Sequence, residues 1–227
     1  MKMAQDVAKG LAWLHGSSSL VLLHRDLKLS NILYDEVNGA YTCKLTDFGL
    51  SQVKPKNETF IDTNGKVVGT IIMLPPEVLS GQPYTDKAEV YSFGLVLWQF
   101  ITREDLFPDL SDGYLSDFIE AIVDKQLRPK IPVSCPDSLA LLLRRCWSLN
   151  SLDRPSFADI LTYLEAIIID CSIKDEHARE FWKQHFLSSV SKNKTIDKLT
   201  LFFIIRQVYH YTCLNLHSLN LLKLHPL

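Results

Sequence analysis

The chain has 227 residues, 47% of them hydrophobic, and its 24 basic and 26 acidic side chains leave a formal charge of -2. A sizeable core can form from such a chain, as one large domain or as a compact domain with an appendage. No net field is present to recruit nucleic acid or an anionic membrane, so partners have to be read from local sites.

The opening segment, residues 1 to 15, is amphipathic: Ala4, Val7, Ala8, Leu11 and Leu14 recur at helical spacing, and nothing at its start can serve as an N-cap. It lacks the apolar block of a secretory signal, and "LFFII" at 201 to 205 is too short to span a bilayer. Five widely spaced cysteines without a C-x-x-C pair read as reduced, mostly buried thiols, which points to the cytoplasm.

After "HRDLKLSN" at 24 to 31, the run Ile32-Leu33-Tyr34, the turn dipeptide Asn38-Gly39 and the alternation of Tyr41, Cys43 and Leu45 with polar residues predict a β-hairpin with one buried face. From Leu50 to Leu74 no period is sustained, which predicts a long surface loop. Helices are then predicted over 88–100, 114–124, 138–147 and 156–169, the last with Pro155 in its first turn. Leu115, Phe118 and Ile122 are the expected anchors of the second, and the four tryptophans Trp13, Trp98, Trp147 and Trp182 are expected in the core.

Residues 1–170 are thus expected to form one mainly α lobe with a small hairpin. Phe181, Trp182 and Phe186 suggest a further amphipathic helix inside a linker over 171–187. Residues 188–227 lose all period and hold one acidic residue, and read as a tail that is either disordered or translated intron.

The chemistry sits in the loop and just after the hairpin. Asp26 can accept a proton from a hydroxyl nucleophile, and Lys28, two residues on, can neutralise a phosphoryl group in transfer. Asn31 and Asp47 offer oxygen ligands suited to Mg²⁺, with the hairpin folding Asp47 back towards the loop. Moving a phosphoryl group from a metal-chelated nucleotide to an alcohol needs positioning and charge neutralisation more than covalent chemistry.

The strings H-R-D-L-x-x-x-N and D-F-G resemble the signature of the eukaryotic protein kinases, and the match is to the C-terminal lobe of that family. The resemblance implies ATP and Mg²⁺ as cofactors and proteins as substrates. It makes Asp26 the catalytic base, Lys28 the phosphate contact, and Asn31 and Asp47 the metal ligands. It also implies that Arg25 pairs with a phosphorylated residue of the activation segment, that His24 stacks with Phe48 ahead of Gly49, that Glu77 of "PPE" pairs with Arg154 of "DRPSF", and that Thr70 lies against Asp26 and Lys28. Thr59 and Thr63 are either phosphorylation sites or merely solvated.

Lys28 together with "VYSFGLVLW" and "RPSF" resembles the tyrosine-kinase-like group. "AQDVAKGLAWLH", "DFGLSQVKP" and "AREFWKQHF" resemble dual-specificity kinases that carry a Src-homology phosphotyrosine-binding domain, which is itself absent from the sequence. Four positions depart from the family pattern. Pro75 and Met73 stand where alanine and an aromatic are usual, Leu29 replaces a proline, and Glu89 replaces the aspartate that holds the catalytic-loop backbone.

No G-x-G-x-x-G and no strand-borne lysine of V-A-I-K type precede residue 24. The N-terminal lobe is therefore expected to be missing, the chain to be a truncated kinase inactive alone, and an apolar floor to be exposed near Leu33, Leu45 and Phe48. The alternative is a non-catalytic lobe that docks partners.

Overall fold

A computed structural model describes residues 1–16, 19–37, 40–56, 58–60, 68–110, 113–174 and 176. They fall into two compact units, one of residues 1–35 and 41–162, the other of 36–40 with 163 onward. Every residue of the candidate site lies in the first.

The first helix, α1 (Lys2–His15), begins without a side-chain cap and buries Ala4, Val7, Ala8, Leu11 and Leu14. That stripe packs α1 on β1 (Leu20–Leu23). Trp13 falls two residues from Leu11, on the far side of the helix, and is 81% exposed, so the expectation that it is a core anchor is corrected. Trp98 and Trp147 are buried, and Trp182 lies outside the described residues.

The hairpin is present as β2 (Ile32–Val37) and β3 (Ala40–Leu45), paired as a two-stranded sheet. A connection this short allows only the antiparallel arrangement. Ile32 and Cys43 face inward, whereas Leu33, Tyr34 and Phe48 are exposed and Leu45 is half-buried.

The stretch from Leu50 to Leu74 is not a plain loop. Gln52–Pro55 forms β4, which pairs antiparallel with β1 in the register Leu20 to Pro55 through Leu23 to Gln52. A second backbone bridge joins Phe60 to Tyr84, whose rings stack at 5.7 Å. A 3₁₀ turn over Ile71–Met73 leads into the short α2 (Pro76–Leu79).

The helical part follows as α3 (Lys87–Thr102), α4 (Leu115–Val123), α5 (Asp137–Cys146) and α6 (Phe157–Lys174). α3 is buried on all sides, from Ala88 to Trp98, and packs against α5. In α4, Phe118 and Ile122 are buried, but Leu115 opens the helix and is 51% exposed. Ser156, rather than Pro155, starts α6: its hydroxyl accepts the Asp159 N–H, and the Asp159 carboxylate accepts the Ser156 N–H at 3.0 Å, a reciprocal capping box. In the second unit the helix continues to Lys174 and buries Leu164, Ile167, Ile169 and Ile173. The proposed helix over 175–187 and the tail lie outside the described residues, apart from Glu176.

Gly94 sets how closely α3 and α5 approach. A Cβ built there would lie 2.7 Å from the Cβ of Cys146, whose thiol burial pushes up to about 12 and so keeps protonated. Gly94→Ala gains about 1 kcal/mol of helix propensity and should lose more to overpacking, which costs about 1–3 kcal/mol or above. A lower urea midpoint, restored in part by Cys146→Gly, is the expected result.

Candidate active site

The loop after β1 carries the first functional side chains. His24 is fully buried; its Nε2 lies 2.8 Å from the Thr46 carbonyl, and its ring packs on Phe48 at 4.9 Å. With Nε2 donating to that carbonyl, Nδ1 is free to accept the Asp26 N–H at 3.4 Å.

Arg25 and Asp47 both adopt left-handed backbone, with φ of 64° and 63°. For residues with a Cβ this costs about 1–2 kcal/mol each, and it persists only where the surroundings enforce it. Around Arg25 the enforcement is visible: its N–H donates to Glu89 Oε1 at 2.7 Å. The longer side chain at position 89 therefore reaches the loop backbone, and its second oxygen meets His15 Nε2 at 2.7 Å, with both side chains buried. Asp47 is exposed and accepts the Gly49 N–H at 3.3 Å.

Asp26 is 7% exposed and collects four donors. Oδ1 accepts the Thr70 hydroxyl at 2.6 Å and the Thr70 N–H at 3.0 Å. Oδ2 accepts Asn31 Nδ2 at 2.9 Å and lies 2.7 Å from Lys28 Nζ. Lys28 also donates to Thr70 Oγ1 at 2.8 Å, and Asn31 Nδ2 donates to the Asp26 carbonyl at 2.8 Å. Asn31 also accepts the Thr46 N–H through its own carbonyl, which joins the loop to the residue preceding Asp47.

Burial alone would raise the pKa of Asp26, but the hydrogen bonds from Lys28, Thr70 and Asn31 outweigh it and hold the carboxyl below its usual value. A depressed folded-state pKa contributes stability that is fully present above the unfolded value and is lost as pH falls through the folded one. The stability difference between the wild type and Asp26→Asn, followed by urea denaturation against pH, should be constant near neutrality and shrink only below the ordinary carboxylate range.

The segment around Gly69 and Thr70 closes the site from the other side. Gly69, at φ 106°, comes so close that a Cβ there would lie 2.4 Å from the Arg25 carbonyl, which is what lets Thr70 reach Asp26. Beyond it, Glu77 and Arg154 form a two-pronged ion pair at 2.6 and 2.9 Å. The Arg25 Nε donates to the Leu50 carbonyl at 2.6 Å and its Nη1 to Gln52 Oε1 at 2.8 Å. Thr59 is exposed, and Thr63 lies outside the described residues.

Two residues of this network were not singled out by the sequence, His15 and Gln52. Each is one polar residue in an otherwise ordinary segment, and only the fold brings it to the loop. A buried carboxylate gripping a hydroxyl and an ammonium, with the Asn31 amide on its second oxygen, is suited to orienting an alcohol and balancing the charge of a transferring group.

The sequence model for protein tyrosine and serine/threonine kinases matches residues 1–164, and the chain belongs to that family. It is 50% identical over 186 residues to the dual specificity protein kinase shkA of Dictyostelium discoideum, covering 82% of this chain and 34% of that protein. The kinases shkD and shkC of the same organism are 44% and 42% identical, over 82% and 83% of this chain and 24% and 36% of their own lengths. The chain therefore spans about a third or less of the relatives it matches.

Proposed function

We propose that residues 1–170 form the C-terminal lobe of a tyrosine-kinase-like protein kinase that moves the γ-phosphate of ATP to serine and threonine hydroxyls of proteins, with tyrosine as a second acceptor; the relatives are named dual specificity protein kinases. The observation that carries this reading is the Thr70 hydroxyl held 2.6 Å from Asp26 with Lys28 against both. A serine or threonine hydroxyl can be oriented by the same carboxylate.

All four donors around Asp26 must be satisfied before substrate arrives, so an incoming hydroxyl has to replace one. Lys28 is the donor able to leave, its side chain being 30% exposed. Swinging towards the phosphoryl group, it uncovers Oδ2 for the substrate hydroxyl and brings its charge where negative charge accumulates. Asp26, with its lowered pKa, then orients the hydroxyl and takes its proton late, as a loose transition state requires.

Asn31 spends its Nδ2 on Asp26, which leaves Oδ1 for a cation, and Asp47 adds an exposed carboxylate. Two hard oxygen donors fit Mg²⁺, which takes few protein ligands and fills its shell with phosphate and water. Bound there, Mg²⁺ would supply charge neutralisation to the phosphates. Buried thiols at Cys43, Cys135 and Cys146 fit a reducing cytoplasm. Thr59, exposed on the activation segment, is a candidate for phosphorylation.

Exposed Leu33, Tyr34 and Phe48 favour a second reading, a non-catalytic lobe that docks another polypeptide. A chimera separates the two. Residues 1–170 are exchanged for the matching segment of shkA, and Mg²⁺-dependent transfer to protein serine and threonine is measured. Transfer within about tenfold of the parent supports the kinase reading; a folded chimera that binds substrate and transfers nothing removes it. The 227-residue chain alone, whose sequence includes no glycine-rich loop, is expected to show at most trace turnover.

A further inference from the structure

Arg25 immediately precedes Asp26 and is held from two directions. Its backbone N–H is fixed by Glu89 on α3, and its guanidinium reaches across to the activation segment, where Nε meets the Leu50 carbonyl and Nη1 meets Gln52 Oε1. Gln52 is itself anchored, because it opens β4 and stands opposite Leu23, two residues before Arg25, in the β1–β4 register. Backbone pairing on one side and a side-chain bridge on the other make a short closed circuit, Leu23 to Arg25 to Gln52 and back. We infer that Gln52 is a positioning residue for Asp26: its side-chain carbonyl takes the Arg25 guanidinium directly and locks β4 to the loop without a phosphate between them.

The chemistry of the amide explains why this residue type works. An uncharged carbonyl accepts an N–H from a permanently charged guanidinium in a charge-assisted bond and leaves the guanidinium planar and fixed. A lysine or arginine at 52 would repel Arg25 and turn the pair into a receptor for an anion. An apolar residue would leave the left-handed Arg25 without one of the contacts that over-determine its backbone. The order of the loop is then a property of the unmodified chain, and Thr59, exposed three residues beyond the Lys56 end of this region, is not needed to build it.

The word catalytic for Asp26 rests on the kinase reading, but the lock can be tested without turnover. Amide hydrogen exchange is measured by mass spectrometry on the full 227-residue chain after phosphatase treatment, for the wild type, Gln52→Leu and Gln52→Glu. In the wild type, residues 24–27 and 50–55 are expected to stay protected with no phosphate present. Gln52→Leu keeps the size and loses the acceptor, and should speed exchange in these two segments by roughly tenfold, the scale of one hydrogen bond to a charged group. Gln52→Glu keeps an acceptor and should restore wild-type exchange.

Unchanged exchange in Gln52→Leu overturns the inference, as does loss of protection in the wild type on phosphatase treatment. Acceleration spread over α3 and α5 as well would mark general loosening and overturn the positioning role. Since exchange does not depend on phosphoryl transfer, a silent chimera with the expected exchange pattern would remove the kinase reading and leave the lock standing.

Discussion

Asp26→Asn, introduced into the chimera with shkA, should lower phosphoryl transfer by roughly 10²–10⁴, the range that a positioned general base contributes. The substitution keeps the shape of the side chain, so Thr70 can still donate to the remaining carbonyl oxygen, while the new NH2 replaces the acceptor of Asn31 Nδ2 and leaves Asn31 its bond to the main-chain carbonyl of residue 26. What goes is the charge that draws Lys28 and the basic oxygen that accepts the substrate proton. The loss should therefore appear in kcat, with KM for ATP changed much less, since Asn31 and Asp47 are untouched. Equal transfer by the wild type and Asp26→Asn would place the base elsewhere and dissolve the proposed mechanism.

Much of this site was legible because its residues are close in sequence. Positions 24 to 31 form one loop, and a hairpin with an Asn-Gly turn returns the chain to it, so Asp26, Lys28, Asn31 and Asp47 could be grouped before any fold was known. Helices α4 to α6 were legible for a related reason: their apolar residues recur at 3.6, and burial follows that period at Ile122, Leu143 and Ile160, whereas α3 is buried all round from Ala88 to Trp98. The exceptions are also physical. Trp13 sits off the buried stripe of α1, and Leu115 sits at the frayed first position of α4, where an apolar residue has no turn above it to pack on.

The β1–β4 sheet was not legible. "LVLL" and "QVKP" are four residues each, the second carries a proline and a lysine, and neither shows a period that separates strand from loop. Their pairing is a long-range contact, and so are those of Gln52 with Arg25 and His15 with Glu89. Glu89 shows the limit most clearly. From sequence it was a departure from the family's aspartate, one methylene longer; in the fold one carboxylate touches both the Arg25 N–H and His15.

Glu77→Ala should be the most destabilising single change outside the core. The Arg154 side chain is fully buried, while Glu77 retains 17% exposure. Deleting the carboxylate strands a guanidinium that keeps its bonds to the Ser148 and Lys87 carbonyls and its place 5.3 Å over the Tyr91 ring, but loses its counter-charge. A buried charge left without its partner costs about 3–5 kcal/mol, which should bring the urea midpoint down steeply. The mechanism makes a sharper demand than the size of the loss. If the cost is an uncompensated charge, the double variant Glu77→Leu with Arg154→Met should be more stable than Glu77→Ala alone, because removing both charges removes the desolvation penalty. If the double variant is instead the less stable, the pair is held for its contacts, and Glu77 matters as the strut that fixes α2 and, through Met73 to Pro76, the segment that carries Thr70 to Asp26.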